Sequence, residues 1–173
     1  TYIHTGIQSI VFSPNNVNEF FVGSEGGVFK GTCSAATGYQ FDGWYTAATG
    51  GTELSKKKTY TYYPTAATTV YARFKANSYT VKFDANGGSG TMPNQSHTYG
   101  VSKALTENAF TRTGYTFAGW NTKADGTGTS YADKQSVSNL TSTNGATVTL
   151  YAKWTPNTYT VQMHLNNNTS DVV

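Results

Sequence analysis

The chain has 173 residues, a formal net charge of +3 at pH 7 and only 12% charged residues. That length accommodates one large domain or two small ones, and the weak charge, with Lys56-Lys57-Lys58 as its only dense basic run, excludes the footprint of a nucleic-acid binder. No run of 18 or more apolar residues provides a transmembrane segment, and the opening at Thr1 without a charged-then-apolar leader reads as a mature protein or an excised fragment.

With so few charges, solubility rests on hydroxyl and amide groups, a balance that suits a β-rich extracellular module. Thirteen Tyr, nine Phe and three Trp supply core material, each ring burying on the order of 150–250 Å², so the composition is not that of a disordered chain. The single cysteine, Cys33, forms no internal disulfide. That fits a cytosolic protein and also a Gram-positive surface protein, a class that often avoids cysteine; the composition favours the second.

In chain order, Ile10, Phe12, Phe20 and Val22 are candidates for opening strands, although Ser24-Glu25-Gly26-Gly27 breaks the alternation. Cys33 follows in Thr32-Cys33-Ser34-Ala35 and reads as a small buried hydrophobe rather than a reactive thiol. Next come Gly38-Tyr39-Gln40-Phe41-Asp42-Gly43-Trp44 and, after a lysine- and tyrosine-rich stretch, Val70-Tyr71-Ala72-Arg73-Phe74. Tyr79-Thr80-Val81-Lys82-Phe83 alternates apolar with polar residues, the period of a half-buried strand, and Asn86-Gly87 behind it signals a tight turn. In Tyr115 to Trp120 the alternation puts Tyr115, Phe117 and Gly119 on one side and Thr116, Ala118 and Trp120 on the other. Residues 133–140 offer one or two helical turns with Val137 and Leu140 inward, and little other helix is expected.

Two of these motifs recur. Gly38 to Trp44 returns as Gly114-Tyr115-Thr116-Phe117-Ala118-Gly119-Trp120, and Val70 to Phe74 returns as Leu150-Tyr151-Ala152-Lys153-Trp154. Asn77-Ser78-Tyr79-Thr80-Val81-Lys82-Phe83 returns as Asn157-Thr158-Tyr159-Thr160-Val161-Gln162-Met163. The displacement grows from 76 to 80 residues, which places a four-residue insertion between Trp120 and Leu150, in the polar segment 141–146. The expected organisation is a divergent module at 1–76, a module at 77–156 ended by Pro156, and at 157–173 the first strand of a further repeat or a tail, where Asn166-Asn167-Asn168 replaces the turn.

The run Tyr79 to Gly88, followed by Phe110-Thr111-Arg112-Thr113-Gly114-Tyr115-Thr116-Phe117-Ala118-Gly119-Trp120 and Leu150 to Trp154, resembles the Listeria-Bacteroides repeat, also called the internalin B B-repeat. The resemblance covers 77–156 in order, and through Gly38 to Trp44 and Val70 to Phe74 it extends to the first module. It implies a mostly β fold, α+β and β-grasp-like with little helix, strung in tandem in bacterial surface proteins as a spacer or adhesion unit. It brings no catalytic residue.

Candidate sites are few. Asn121-Thr122-Lys123-Ala124-Asp125-Gly126-Thr127 starts like a calcium loop, but Lys123 and Ala132 stand where oxygen ligands are needed, so a plain turn is the better reading. Asp84-Ala85-Asn86-Gly87-Gly88 reads the same way. His4, His97 and His164 have no metal-binding spacing, and no nucleophile elbow, phosphate loop or dinucleotide fingerprint occurs. No metal, cofactor or catalytic residue is expected. The recurring rings belong to cores. Tyr60, Tyr62 and Tyr63, which have no counterpart in the second copy, stand beside Lys56, Lys57 and Lys58 as a candidate binding face for a glycan or an anionic polymer. The bland alternative is an edge strand whose lysines discourage pairing. Three functions stay open: a spacer or adhesive array of neighbouring repeats in an extracellular, cell-surface or secreted protein, a module binding a host or wall glycan or a protein ligand, and a fibre subunit joined by donation of the strand at 159–165.

Overall fold

The computed structural model describes residues 29–32, 35–62 and 69–163. Their strands are β1 (Phe29–Thr32), β2 (Tyr39–Tyr45), β3 (Glu53–Ser55), β4 (Thr59–Tyr62), β5 (Tyr71–Ala76), β6 (Ser78–Asp84), β7 (Gln95–Thr98), β8 (Lys103–Ala104), β9 (Tyr115–Asn121), β10 (Ser130–Tyr131), β11 (Ser136–Val137) and β12 (Thr147–Pro156). The fold is mostly β, and no α-helix occurs among the described residues. The expected turns of helix at 133–140 are absent. Lys134 takes a positive φ of 57°, Asp133 Oδ1 accepts the amides of Asn108 and Lys134, and β11 pairs with β8 instead. Val137 is buried as anticipated, but from a strand.

A three-stranded sheet has the order β3-β2-β5, and a five-stranded sheet the order β10-β9-β12-β6-β7. Pairs β1–β4 and β8–β11 form two-stranded ribbons. The recurring motifs thus build a recurring triplet: the Gly-Tyr-x-Phe strand lies between a short hairpin partner and the closing strand of its repeat, antiparallel to both.

The chain forms two compact units. Of the described residues, one holds those up to Val81 with Ser96–Lys103 and Ser136–Val148, the other Lys82–Gln95, Ala104–Gln135 and those from Thr149 to Met163. In the first, Trp44 is fully buried, tilted against Phe41 at 5.2 Å between ring centres, and Phe41 meets Phe74 edge-on at 5.9 Å. Tyr79 stacks on His97 at 5.3 Å, both buried. Gly145 donates to the Ser78 carbonyl, and Thr80 donates to that of Ala146. Both segments advance together from one bond to the next, which is the parallel pattern.

In the second unit Trp120 is fully buried against Phe83, Phe110 and Phe117, and Phe117 meets Trp154 edge-on at 5.7 Å. Simple alternation assigns Phe117 and Trp120 to opposite sides, yet their rings lie 5.0 Å apart. A β-bulge is the reason. Trp154 opposes Phe117 and Lys153 opposes Gly119, so Ala118 is the extra residue and the pattern inverts across it. Asp42 plays the same part between Phe41 and Gly43. The Asn86-Gly87 turn forms as its sequence predicts, with φ of 46° and 85° and the Gly88 amide bonded to the Ala85 carbonyl at 2.9 Å.

Candidate functional site

Of the expected binding face, Lys56, Lys57 and Lys58 are exposed between β3 and β4. Lys56 pairs with Glu53 at 3.5 Å, an exposed contact worth little by itself. The backbone of Lys57 is structural: its carbonyl accepts the Trp44 indole N–H at 3.0 Å. Tyr60 and Tyr62 stand in β4 opposite Gly31 and Phe29 of β1. Tyr63 lies outside the described residues, as do Cys33, His4, His164 and the first-module candidates Ile10 to Gly27.

The calcium-like loop is closed by its own amide. Asn121 is fully buried; its Oδ1 accepts the amides of Lys123 and Gly128, and its Nδ2 donates to the carbonyls of Gly126 and Gly128 and to Ser130 Oγ. The side chain thus bridges the loop from one end to the other. Asp125 instead binds Thr127 within the loop, and those bonds hold its carboxyl below the usual range. In the first repeat Tyr45 occupies the place of Asn121. There Arg73 reaches from β5 to the carbonyls of Ala47 and Gly50. The Tyr45 hydroxyl donates to Asp42 and Glu53; desolvation first, then these carboxylates, raise its pKa.

His97 sits in the core, where burial, with a smaller push from Lys103, lowers its pKa. Among the described residues no three His, Cys, Asp or Glu converge as a metal site. No helix among them is long and apolar enough to cross a membrane, which says nothing of strands.

The most elaborate constellation is one that sequence reasoning missed, the joint where one repeat meets the next. Gly38 is buried at a φ of 83°, open to glycine and costly for other residues. A methyl placed there would fall among the ring carbons of Tyr99. Tyr99 meets the Tyr39 ring edge-on at 5.8 Å, and a methyl on Gly100 would stand 3.2 Å from the Tyr39 hydroxyl. Asn77, buried between the two motifs, ties them together. Its amide donates to the Gly38 carbonyl at 2.8 Å, its carbonyl accepts the Tyr99 amide at 2.8 Å, and Nδ2 donates to the Ser142 carbonyl at 2.6 Å. Ser78 adds a bond from its amide to Asn144 Oδ1. The polar segment 141–146, where the four-residue insertion is expected, therefore serves the joint through Ser142 and Asn144. The recurrence of Gly38 and Asn77 was the available signal; nothing in the sequence pointed to Tyr99.

A tandem of β motifs that repeats its rings, bulges and turns, joined through a hydrogen-bonded junction, defines a repeat protein. The chain belongs to the Listeria-Bacteroides repeat domain family, which it matches over residues 25–73 and 79–153. It is similar to internalin H of Listeria monocytogenes, 37% identical over 142 residues, covering 79% of the chain and 23% of that protein. It is also similar to a chain named as a candidate Gly-rich membrane protein of Evansella cellulosilytica, 35% identical over 144 residues, covering 75% of the chain and 15% of that protein. The chain thus spans less than a quarter of the length of these relatives. No solved structure matches it.

Proposed function

We propose that the chain is a non-catalytic, β-grasp-like repeat segment of a bacterial surface or secreted protein, acting as a spacer that holds whatever follows it at a fixed reach. The joint carries this reading. A flexible linker leaves its backbone to water, whereas Asn77 has its backbone amide, its carbonyl and its Nδ2 bonded across the junction, beside a ring packed on Gly38. Internalin H as a relative supports the surface placement. The parallel run beside β6 supports the grasp-like description.

The test is a distance distribution between spin labels at the exposed Thr49 and Thr143, with Cys33 replaced by Ser. One narrow distribution, broadened by Tyr99→Ala, is expected. A broad distribution in the parent chain sinks the spacer reading.

A binding role for Lys56, Lys57 and Lys58 with Tyr60, Tyr62 and Tyr63 is the second reading. Its support is that no carboxylate among the described residues pairs with Lys57 or Lys58. Titration with an anionic wall polymer tests it. Binding that is unchanged in a Lys57→Ser, Lys58→Ser, Tyr62→Ala variant counts against it.

A further inference from the structure

The end of the second repeat presents the same cradle that Tyr99 fills at the end of the first. Gly114 repeats Gly38 in sequence and in backbone, with a φ of 77°. The Asn157 amide donates to the Gly114 carbonyl at 2.9 Å, as that of Asn77 does to Gly38. The preceding turns also match: Tyr115 donates to the Arg112 carbonyl and Tyr39 to that of Ala36, both at 3.0 Å.

The difference lies in what covers them. Gly38 and Asn77 are buried; Gly114 and Asn157 are exposed, and a methyl on Gly114 would meet nothing within 4 Å. Among the described residues Asn157 Nδ2, the counterpart of the group bonded to Ser142, reaches the hydroxyl of Tyr159 at 3.4 Å, while its Oδ1 accepts the Thr116 hydroxyl at 2.7 Å. The Arg112 guanidinium lies over Tyr115 at 3.9 Å, covering one ring face, whereas the tyrosine at the first joint meets Tyr39 edge-on.

The residues that follow point to the occupant. Tyr159, Val161 and Met163 are 77%, 78% and 73% exposed, while their counterparts Tyr79, Val81 and Phe83 are 2%, 0% and 5% exposed in β6. Three large apolar side chains at strand spacing, matching a core strand residue for residue, are thus exposed together.

We propose that Gly114, Tyr115 and Asn157 form a preformed seat for a further repeat in the same chain, begun by residues 157–163, whose Tyr-Gly turn at the place of Tyr99-Gly100 packs on Gly114. The seat deepens the spacer reading and rests on it: a joint used twice makes the array propagate with one geometry. An aromatic ring stacked on a glycine shifts that glycine's Hα resonances upfield, which gives a direct readout. In the 173-residue chain Gly38 shows the shift and Gly114 does not. When a copy of residues 77–156 is joined directly after Pro156, Gly114 moves to match Gly38, and Tyr→Ala at the appended copy's Tyr99 position returns it.

A folded, extended chain in which Gly38 is shifted and Gly114 is not overturns the proposal. So does a Gly114 shift that grows with concentration in the 173-residue chain, because a second molecule would then fill the seat. An unshifted Gly38 overturns it as well, by removing the reference joint. Failure of the spacer reading is separate, since it appears as a broad label distance at the first joint.

Discussion

The guanidinium carbon of Arg73 lies 3.9 Å from the centre of the Tyr45 ring, and the same side chain reaches into the loop beyond it to the Gly50 carbonyl. In the second repeat the matching carbonyl, that of Gly126, is held by Asn121 from inside the loop. The two repeats solve one problem, carbonyls turned inward by a tight loop, from different places: Arg73 over Tyr45 in the first, and Asn121 in the second, where Lys153, at the place of Arg73, donates to Ser130 Oγ at 3.4 Å instead.

Asn121→Ala therefore orphans several loop groups at once and is expected to cost on the order of 3 kcal/mol in urea unfolding. Arg73→Ala, on a half-buried side chain, costs roughly 1–2 kcal/mol. Tyr45→Asn combined with Arg73→Lys imports the other solution, and a double-mutant cycle should show a favourable coupling above about 0.5 kcal/mol. A simple sum of the two single effects would mean that the loops are not equivalent.

The two buried tryptophans allow a second comparison. Trp44 donates its indole N–H to Lys57, whereas the Trp120 indole N–H meets no acceptor among the described residues. Both Trp→Phe changes open a cavity, but only Trp44→Phe also gives up a hydrogen bond. Trp44→Phe is expected to be the more destabilising by about 1 kcal/mol. The reverse order, read from unfolding followed by the remaining tryptophans, would refute this account.

Much of this was legible in the residues. Ring-rich motifs at a displacement of 76 to 80 residues disclosed two copies, and Asn86-Gly87 disclosed its turn, because both depend on local chemistry. The face assignment of Phe117 and Trp120 failed because a bulge is a property of the strand pair, set by Lys153 and Trp154 across the ladder. The short helix at 133–140 failed because β8 competed for β11. Tyr99 was invisible as a joint residue since its partner, Gly38, is distant in sequence and carries no side chain to advertise a contact.

A bulge glycine and a loop glycine set up a controlled comparison of strain. Gly119 has a φ of 114°, and a methyl there would stand 2.6 Å from the Tyr131 carbonyl oxygen on β10, which cannot yield without breaking the β9–β10 pair. Gly126 has a φ of 77° with nothing within 4 Å. Gly126→Ala thus carries only the backbone penalty, about 1–2 kcal/mol. Gly119→Ala adds the clash and should cost roughly 3 kcal/mol or more. Equal losses in thermal unfolding would show that the carbonyl contact is immaterial.

The last prediction concerns pH. His97 is buried against Tyr79, and burial first, then the Lys103 charge, lowers its pKa from the ordinary 6.5. The unfolded chain consequently takes up a proton near pH 6.5 that the folded chain refuses until lower pH. Stability should be level above that value and fall as pH drops from 6.5 towards the depressed folded pKa, before the carboxylates begin to titrate near pH 4. His97→Phe, which keeps a ring against Tyr79, removes the titrating group, so its unfolding midpoint should stay flatter between about pH 6.5 and 5 than that of the parent chain. Parallel pH profiles for the two chains would refute this account.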